Sequence, residues 1–321
     1  MKIHILSLGC ARALVDSEGL GGLLQEAGHA FTENLEEAQC VVVNTCAFMQ
    51  SAEEESISVV LDLAERKRSG KLHSLYVVGC LPQKRKAEQG DLLKLLPEVD
   101  GFLGTADLTK LPELLQEPAQ PKSNPFFVAS PVPTLLFESQ APRFRLTPKH
   151  YAFLKISEGC DHACAFCSIP QYRGPHRSRS IEDLVVDAGQ LASQGVVELN
   201  LIGQDSSAYG EDLYGELKFP ELLRQLNQVD GIEWIRILYA HPSHVTDELI
   251  AAIRDLPKVV NYIDIPLQHI ATPLLSAMRR ETDGDWIRRM IERFRREIPD
   301  VVLRSTFIVG FPGETEAQVN E

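Results

Sequence analysis

The sequence predicts an α/β protein of two domains, each built on parallel strands. Three observations carry this reading. With 44% hydrophobic and 24% charged residues over 321 positions, the chain has globular composition and length enough for two cores. Short β-branched and apolar runs alternate with helix-period segments. A proline-rich stretch, residues 118–150, separates two such alternating regions.

In residues 1–117, the segments 3–8, 40–44 and 75–78 read as strands with helical patterns between them. In the second pattern Ser51 and Glu54 are spaced as a capping box, Ile57, Val60, Leu61 and Ala64 recur at helical spacing, and Gly70 is the stop. This alternation implies a parallel sheet with right-handed crossovers. Residues 118–150 hold Pro118, Pro121, Pro125, Pro131, Pro133, Pro142 and Pro148, which marks a linker or an extended wrap. Over 151–321, strands are expected at 152–157, 196–203, 233–239, 259–265 and 301–309. Helices are expected at 181–194, 220–229, 245–256, 273–280 and 285–297. Successive βα units imply a closed or partial barrel, or a large doubly wound sheet. The chain stops at Glu321 where the next helix should begin, so the natural protein is expected to continue.

No apolar run approaches the roughly 18 residues of a membrane helix, and the start meets charge too early for a signal peptide. A cytoplasmic location is expected, with no membrane partner. The 32 Lys+Arg against 45 Asp+Glu leave a net charge of −13. That argues against a large nucleic-acid face and for a basic partner, although Gln83-Lys84-Arg85-Lys86 and the arginines from Arg173 to Arg179 are locally basic. Seven cysteines without a secretory signal point to metal or redox chemistry rather than disulfides.

Cys160, Cys164 and Cys167 form CxxxCxxC directly after a predicted strand. Three thiolates on one loop can hold three irons of a 4Fe–4S cubane and leave the fourth iron open to a chelating ligand. The competing reading is a zinc site completed by His162 or His176. Cys10, Cys46 and Cys80 each end a predicted strand, and strand ends in an open parallel sheet converge on the ligand crevice. These three are either a second cluster site or small buried core residues. Cys40, inside a strand run, reads as a packed thiol.

Taken together, Leu8-Gly9-Cys10, Val15-Asp16-Ser17-Glu18, Val43-Asn44-Thr45-Cys46, Val78-Gly79-Cys80, the CxxxCxxC loop, Arg173-Gly174, Ser178-Arg179 and the stretch from Ser305 to Glu314 resemble the methylthiotransferase family of radical S-adenosylmethionine enzymes. The resemblance spans nearly the whole chain. It implies two 4Fe–4S clusters, on Cys10, Cys46 and Cys80 and on Cys160, Cys164 and Cys167, with S-adenosylmethionine and an external one-electron reductant. The fold it implies is an amino-terminal domain followed by a radical-SAM partial barrel. It also implies a sixth strand and a small carboxy-terminal β-barrel domain that this sequence does not reach. Ile265-Pro266-Leu267-Gln268-His269 and Gln204-Asp205-Ser206-Ser207-Ala208-Tyr209-Gly210 resemble the branch that modifies the β-carbon of an aspartate in small-subunit ribosomal protein S12, a basic partner. The sister branch modifies adenosine in tRNA.

By the same resemblance Phe166, Gly203, Gln204, Asp205, Ile308 and Gly310 are the expected cofactor contacts. The plain readings are loop packing for Phe166 and polar turns for the rest. Arg173, Arg177 and Arg179 are candidates for a carboxylate contact or a solvated basic loop. His269 is a proton donor or a satisfied structural histidine, and the arginines from Arg279 to Arg296 form a solvated helix face. Two readings of other classes stand beside these: a non-catalytic iron–sulfur carrier or scaffold, and a dinucleotide site using Gly19, Gly21 and Gly22, which follow Cys10 too late for that motif.

Overall fold

The computed structural model describes residues 1–116 and 125–321, so Pro118 and Pro121 lie outside the described residues. The chain divides into two units, Met1–Leu146 with Ser168–Gly174, and Thr147–Cys167 with Pro175–Glu321.

The first unit is a six-stranded sheet in the order β2-β1-β3-β4-β5-β6, parallel throughout. Its strands are β1 (Lys2–Ser7), β2 (Ala30–Phe31), β3 (Cys40–Thr45), β4 (Ser74–Gly79), β5 (Gly101–Gly104) and β6 (Phe126–Val128). The expected central strands β1, β3 and β4 are present. β3 and β4 are buried on both faces, which is why they read as continuous apolar runs, whereas β1 is buried fully only at Ile3. The helices are α1 (Ala11–Glu26), α2 (Gln50–Arg68), α3 (Cys80–Lys84), α4 (Gln89–Leu95), α5 (Leu111–Gln116) and α6 (Ile169–Arg173). Helix α2 corrects the expected capping box. It starts at Gln50 after Met49, which makes no side-chain cap, so Ser51 already lies inside the first turn. Gly70 does end it: at φ +76° its N–H reaches the Lys67 carbonyl.

The described part of the proline-rich stretch is an extended wrap on this unit. β6 pairs with β5, Phe144 stacks on Phe31 with ring centroids 4.4 Å apart, and the buried Glu18 receives Arg143 Nε at 2.8 Å and the Leu146 N–H at 2.9 Å. Gly19, Gly21 and Gly22 are the clearance for this wrap, which replaces the dinucleotide reading. A Cβ on Gly19 would lie 3.0 Å from the Phe137 ring, and one on Gly22 would lie 2.2 Å from the Pro142 carbonyl oxygen. Backbone cannot yield as a side-chain tip does. Gly22→Ala is therefore expected to cost about 2 kcal/mol, in the usual range for overpacking, read as a lowered denaturant midpoint.

The second unit carries a five-stranded parallel sheet of β7 (Tyr151–Lys155), β10 (Glu198–Ile202), β11 (Trp234–Ile237), β12 (Val259–Asp264) and β13 (Val302–Arg304), in the order β13-β12-β11-β10-β7. Spatial order follows sequence order with no reversal, so this is the partial barrel and not a doubly wound sheet. A short antiparallel pair, β8 (Ser157–Glu158) and β9 (Arg177–Ser178), brackets the cysteine loop. Around the sheet run α7 (Ile181–Ser193), α8 (Glu211–Tyr214), α9 (Phe219–Leu226), α10 (Asp247–Asp255), α11 (Thr272–Ala277), α12 (Gly284–Glu297) and α13 (Glu316–Val319). Helices α7, α9, α10 and α12 send apolar faces into one core with the strands. Beyond β13 the strand pairing continues as an isolated bridge between Phe307 and Gln268.

Candidate functional site

In the first unit the three expected cysteines occupy strand ends. Cys10 precedes α1, Cys46 follows β3, and Cys80 opens α3 directly after β4. The turn at Cys80 requires Gly79: its φ is +95°, and a Cβ would lie 2.2 Å from Asn44 Oδ1. Asn44 Nδ2 donates to the Ala13 carbonyl at 2.8 Å and to Ser17 Oγ at 2.9 Å, tying β3 to α1. Thr45 Oγ1 donates to the Val78 carbonyl at 2.7 Å and accepts the Leu81 N–H at 3.3 Å. Ser56 Oγ accepts the Cys46 N–H at 3.2 Å and donates to the Cys46 carbonyl at 3.0 Å. Each cysteine thus sits on fixed backbone, with Cys10 and Cys46 half-buried and Cys80 buried.

The sequence reading missed the placement of Arg173. It lies 4% exposed in this unit, with Nη1 2.6 Å from Asp16 Oδ2 and Nη2 3.2 Å from Cys80 Sγ. Burial pushes the Cys80 thiol up to about 11 against the pull of Arg173. At Cys10 burial acts the same way, but the Arg12 and Arg173 charges prevail and hold the thiol below its ordinary value. Cys40 is a packed core thiol, as expected, pushed up to about 12 by burial.

In the second unit Cys160, Cys164 and Cys167 are all half-buried on the loop after β8. The Cys167 N–H donates to the Cys164 carbonyl at 3.1 Å, and the Ala165 N–H to the Met278 carbonyl at 2.9 Å. Arg280 places Nη1 3.5 Å from Cys164 Sγ while Nη2 donates to the Pro266 carbonyl at 2.9 Å. Burial pushes Cys160 up to about 12, and the neighbouring Asp205, Cys164 and Cys167 add to that.

The histidines available for the zinc reading are engaged elsewhere. His162 Nε2 is 2.8 Å from Asp205 Oδ2 and Nδ1 is 2.7 Å from Glu281 Oε2. His176 Nε2 is 3.2 Å from Ser178 Oγ. A triad of thiols with no imidazole to complete it is the donor set of a cubane with one open iron, not of closed tetrahedral zinc.

Asp205, an expected cofactor contact, is engaged by the protein's own donors. It is 2% exposed, and protein donors take both oxygens. Oδ2 receives His162 and, at 2.7 Å, His244 Nδ1. Oδ1 receives the Ser207 N–H at 2.9 Å, the Ser207 hydroxyl at 2.6 Å and the His241 N–H at 3.2 Å. Burial opposes its charge, but His162 and His244 hold the carboxyl well below the usual range. The side chain ties the cysteine loop to the segments after β10 and β11.

Gln204 is different. Its Nε2 donates to Glu158 Oε1, while its Oε1 is buried without a protein donor. An orphaned acceptor beside the cysteine loop fits a ligand's ammonium group. Gly203 lies against Ser157, whose Oγ a Cβ would meet at 2.6 Å. Phe166 is half-buried on the loop. The Ile308 N–H donates to the Gln268 carbonyl at 2.7 Å, and Gly310, at φ +81°, donates its N–H to Glu314.

The remaining candidates have partners within the protein. His269 uses Nε2 on Glu314 at 2.8 Å and Nδ1 to accept the Ala271 N–H at 2.9 Å. Arg179 is spent on Asp183 and Asp187, at 2.6 and 2.8 Å. Arg177 Nη1 donates to the Pro175 carbonyl at 2.6 Å. In the basic run near Lys84, Lys84 and Arg85 both pair with Glu53, and Lys86 Nζ donates to the Pro131 carbonyl at 2.8 Å.

Comparison with known proteins agrees with this geometry. The radical SAM superfamily model matches residues 154–321, and a model described as uncharacterized protein family UPF0004 matches residues 2–104. The chain is 47% identical over 314 residues to a ribosomal protein uS12 methylthiotransferase RimO of Pelobacter propionicus, covering 98% of this chain and 69% of the relative. It is 46% identical to the protein of the same description from Anaeromyxobacter, covering 100% of this chain and 66% of that one. Among solved structures, the radical S-adenosylmethionine methyltransferase TsrM of Kitasatospora setae shares the fold at TM-score 0.67 and 14% identity, covering 99% of this chain and 71% of that one. The cobalamin-dependent radical enzyme OxsB does so at TM-score 0.64 and 14% identity, covering 96% and 49%. The chain belongs to the radical SAM superfamily and, within it, to the family of the ribosomal protein uS12 methylthiotransferases.

Proposed function

We propose that this chain adds a methylthio group to the β-carbon of an aspartate in ribosomal protein uS12. The observation that supports this best is the presence of two separate cysteine triads, one at the strand ends of the first sheet and one on the loop after β8, each three thiols. Cys160, Cys164 and Cys167 would hold one 4Fe–4S cluster, and Cys10, Cys46 and Cys80 the other. Together with S-adenosylmethionine, these cofactors supply what side chains cannot, a radical able to take hydrogen from an unactivated C–H bond and a sulfur to replace it.

The chain's own residues bind and orient. Gln204 Oε1 is the acceptor for the methionine ammonium, with Glu158 fixing the amide from its other side. Gly203 gives close backbone approach at the end of β10. Phe166, Ile308 and Gly310 would flank the nucleoside, Phe166 by its apolar ring. Asp205 acts indirectly, by holding His162 and thereby the loop.

A basic protein substrate suits a chain of net charge −13. The tRNA reading is disfavoured because Lys84, Arg85, Arg173 and Arg179 in the two locally basic runs are paired with carboxylates of the protein itself. No helix among the described residues is long and apolar enough to cross a membrane, and we place the enzyme in the cytoplasm with its ribosomal substrate and a one-electron reductant.

The test is mass spectrometry after anaerobic incubation of the cluster-loaded protein with S-adenosylmethionine and dithionite, with uS12 and unmodified tRNA side by side. A methylthio-sized gain on a uS12 aspartate is expected. The same gain on tRNA alone would overturn the substrate, and no 5′-deoxyadenosine would overturn the chemistry.

A further inference from the structure

Arg173 follows the CxxxCxxC loop in sequence, yet it is buried with the other cysteine triad. It ends α6, whose Tyr172 is 2% exposed and packs with Ala47, Cys80 and Leu81. The Tyr172 carbonyl accepts Thr105 Oγ1 at 2.9 Å, so the backbone that presents the arginine is fixed from both sides. The guanidinium then divides its donors. Nη1 goes to Asp16 Oδ2 at 2.6 Å, and Nη2 goes to Cys80 Sγ at 3.2 Å. Both residues of this ion pair are about 4% exposed.

An arginine buried this deeply has a cost unless its charge is used. Asp16 supplies one partner, and it fixes the planar fork so that a second N–H points at sulfur. An N–H donated to a cluster thiolate, with a positive charge behind it, stabilises the electron-rich form of the cluster more than the electron-poor form. Hydrogen bonds to cluster sulfurs and local charge are among the factors that set iron–sulfur potentials.

We propose that Arg173 is a positioning residue of the amino-terminal cluster: it donates Nη2–H to the Cys80 thiolate and raises that cluster's reduction potential, with Asp16 as its anchor and counter-charge. The inference rests on the reading that Cys10, Cys46 and Cys80 hold a cluster. It assigns the arginine to electron-transfer energetics rather than to substrate or cofactor binding. It also gives Asp16 a sign opposite to that of Arg173, because removing the carboxylate takes a negative charge away from the guanidinium beside sulfur.

The experiment is an anaerobic redox titration followed by electron paramagnetic resonance. It uses the full chain with Cys160, Cys164 and Cys167 replaced by alanine, so that one cluster is read alone. Arg173→Gln is expected to lower the reduction equilibrium constant about tenfold, a downward shift of about 59 mV for one electron. Arg173→Lys is expected to fall between Gln and the parent, and Asp16→Asn to shift the potential upward. A purely structural arginine would lose iron in the variants and leave the potential of the loaded fraction unchanged. That result, or shifts of the same sign in Arg173→Gln and Asp16→Asn, would overturn the proposal. Should Arg173→Gln fail to hold a cluster, the Lys and Asp16→Asn variants still decide the sign. Absence of iron in the parent single-cluster protein would instead overturn the underlying assignment of the three cysteines.

Discussion

Cys160→Ala, Cys164→Ala and Cys167→Ala are each expected to reduce cleavage of S-adenosylmethionine by more than about 10³-fold, a loss of about 4 kcal/mol. Cys10→Ala, Cys46→Ala and Cys80→Ala are expected to leave 5′-deoxyadenosine formation within a few-fold of the parent and to abolish methylthio transfer. Each substitution removes about half the bound iron if each triad holds one four-iron cluster. The split follows from the geometry. The two triads stand on different sheets, and Gln204 with its unfilled acceptor belongs to the second unit alone. Iron analysis, 5′-deoxyadenosine chromatography and peptide mass spectrometry on the same six variants check it. Equal loss of 5′-deoxyadenosine in both sets would mean that the triads do not divide the chemistry.

Asp205→Ala is expected to have the next largest effect, about 3–5 kcal/mol of stability, the range for breaking a buried charged pair by removing one partner. Its loss strands His162 Nε2, His244 Nδ1 and the Ser207 and His241 N–H groups away from water. Asp205→Asn keeps an acceptor for the Oδ1 donors but turns an amide toward two imidazoles, and about 1–3 kcal/mol is expected. Because the folded carboxyl is held well below its ordinary value, its contribution is complete above the unfolded carboxyl's pKa near 3.8 and is lost only as acid protonates it in the folded state. Thermal unfolding of the two variants at neutral pH checks the order. A wild-type-like midpoint for Asp205→Ala would show that the histidines find other partners.

These two results draw on different kinds of information. The positions of the cysteines were legible because strand ends and a compact CxxxCxxC carry local signals; the core strands β3 and β4 were legible as buried apolar runs, and β1 as a mostly apolar, half-buried one. Strands β2, β5 and β6 were not. The first has two residues, the second is bounded by glycines, and the third sits among prolines and pairs only through tertiary contact. The capping box at Ser51 failed because the helix began two residues earlier than its cap pattern required. Asp205 was placed in the right loop, but its protein partners were not legible, since they come from positions 162, 241 and 244, which no local window contains. Arg173 is the strongest case. Nothing in its own neighbourhood of sequence points to Asp16 and Cys80, 157 and 93 residues away.

The seven residues from Ser168 to Gly174 are counted with the first unit although both flanking segments belong to the second. The chain is therefore interleaved rather than concatenated. No single cut between positions 146 and 168 yields two whole parts, because the upstream piece would lack α6 and its arginine, while the downstream piece would carry an orphaned, largely apolar turn. Dissection into separately expressed halves is accordingly a poor route to studying either triad. Recombination between relatives should succeed only when both crossover points of the insert are respected.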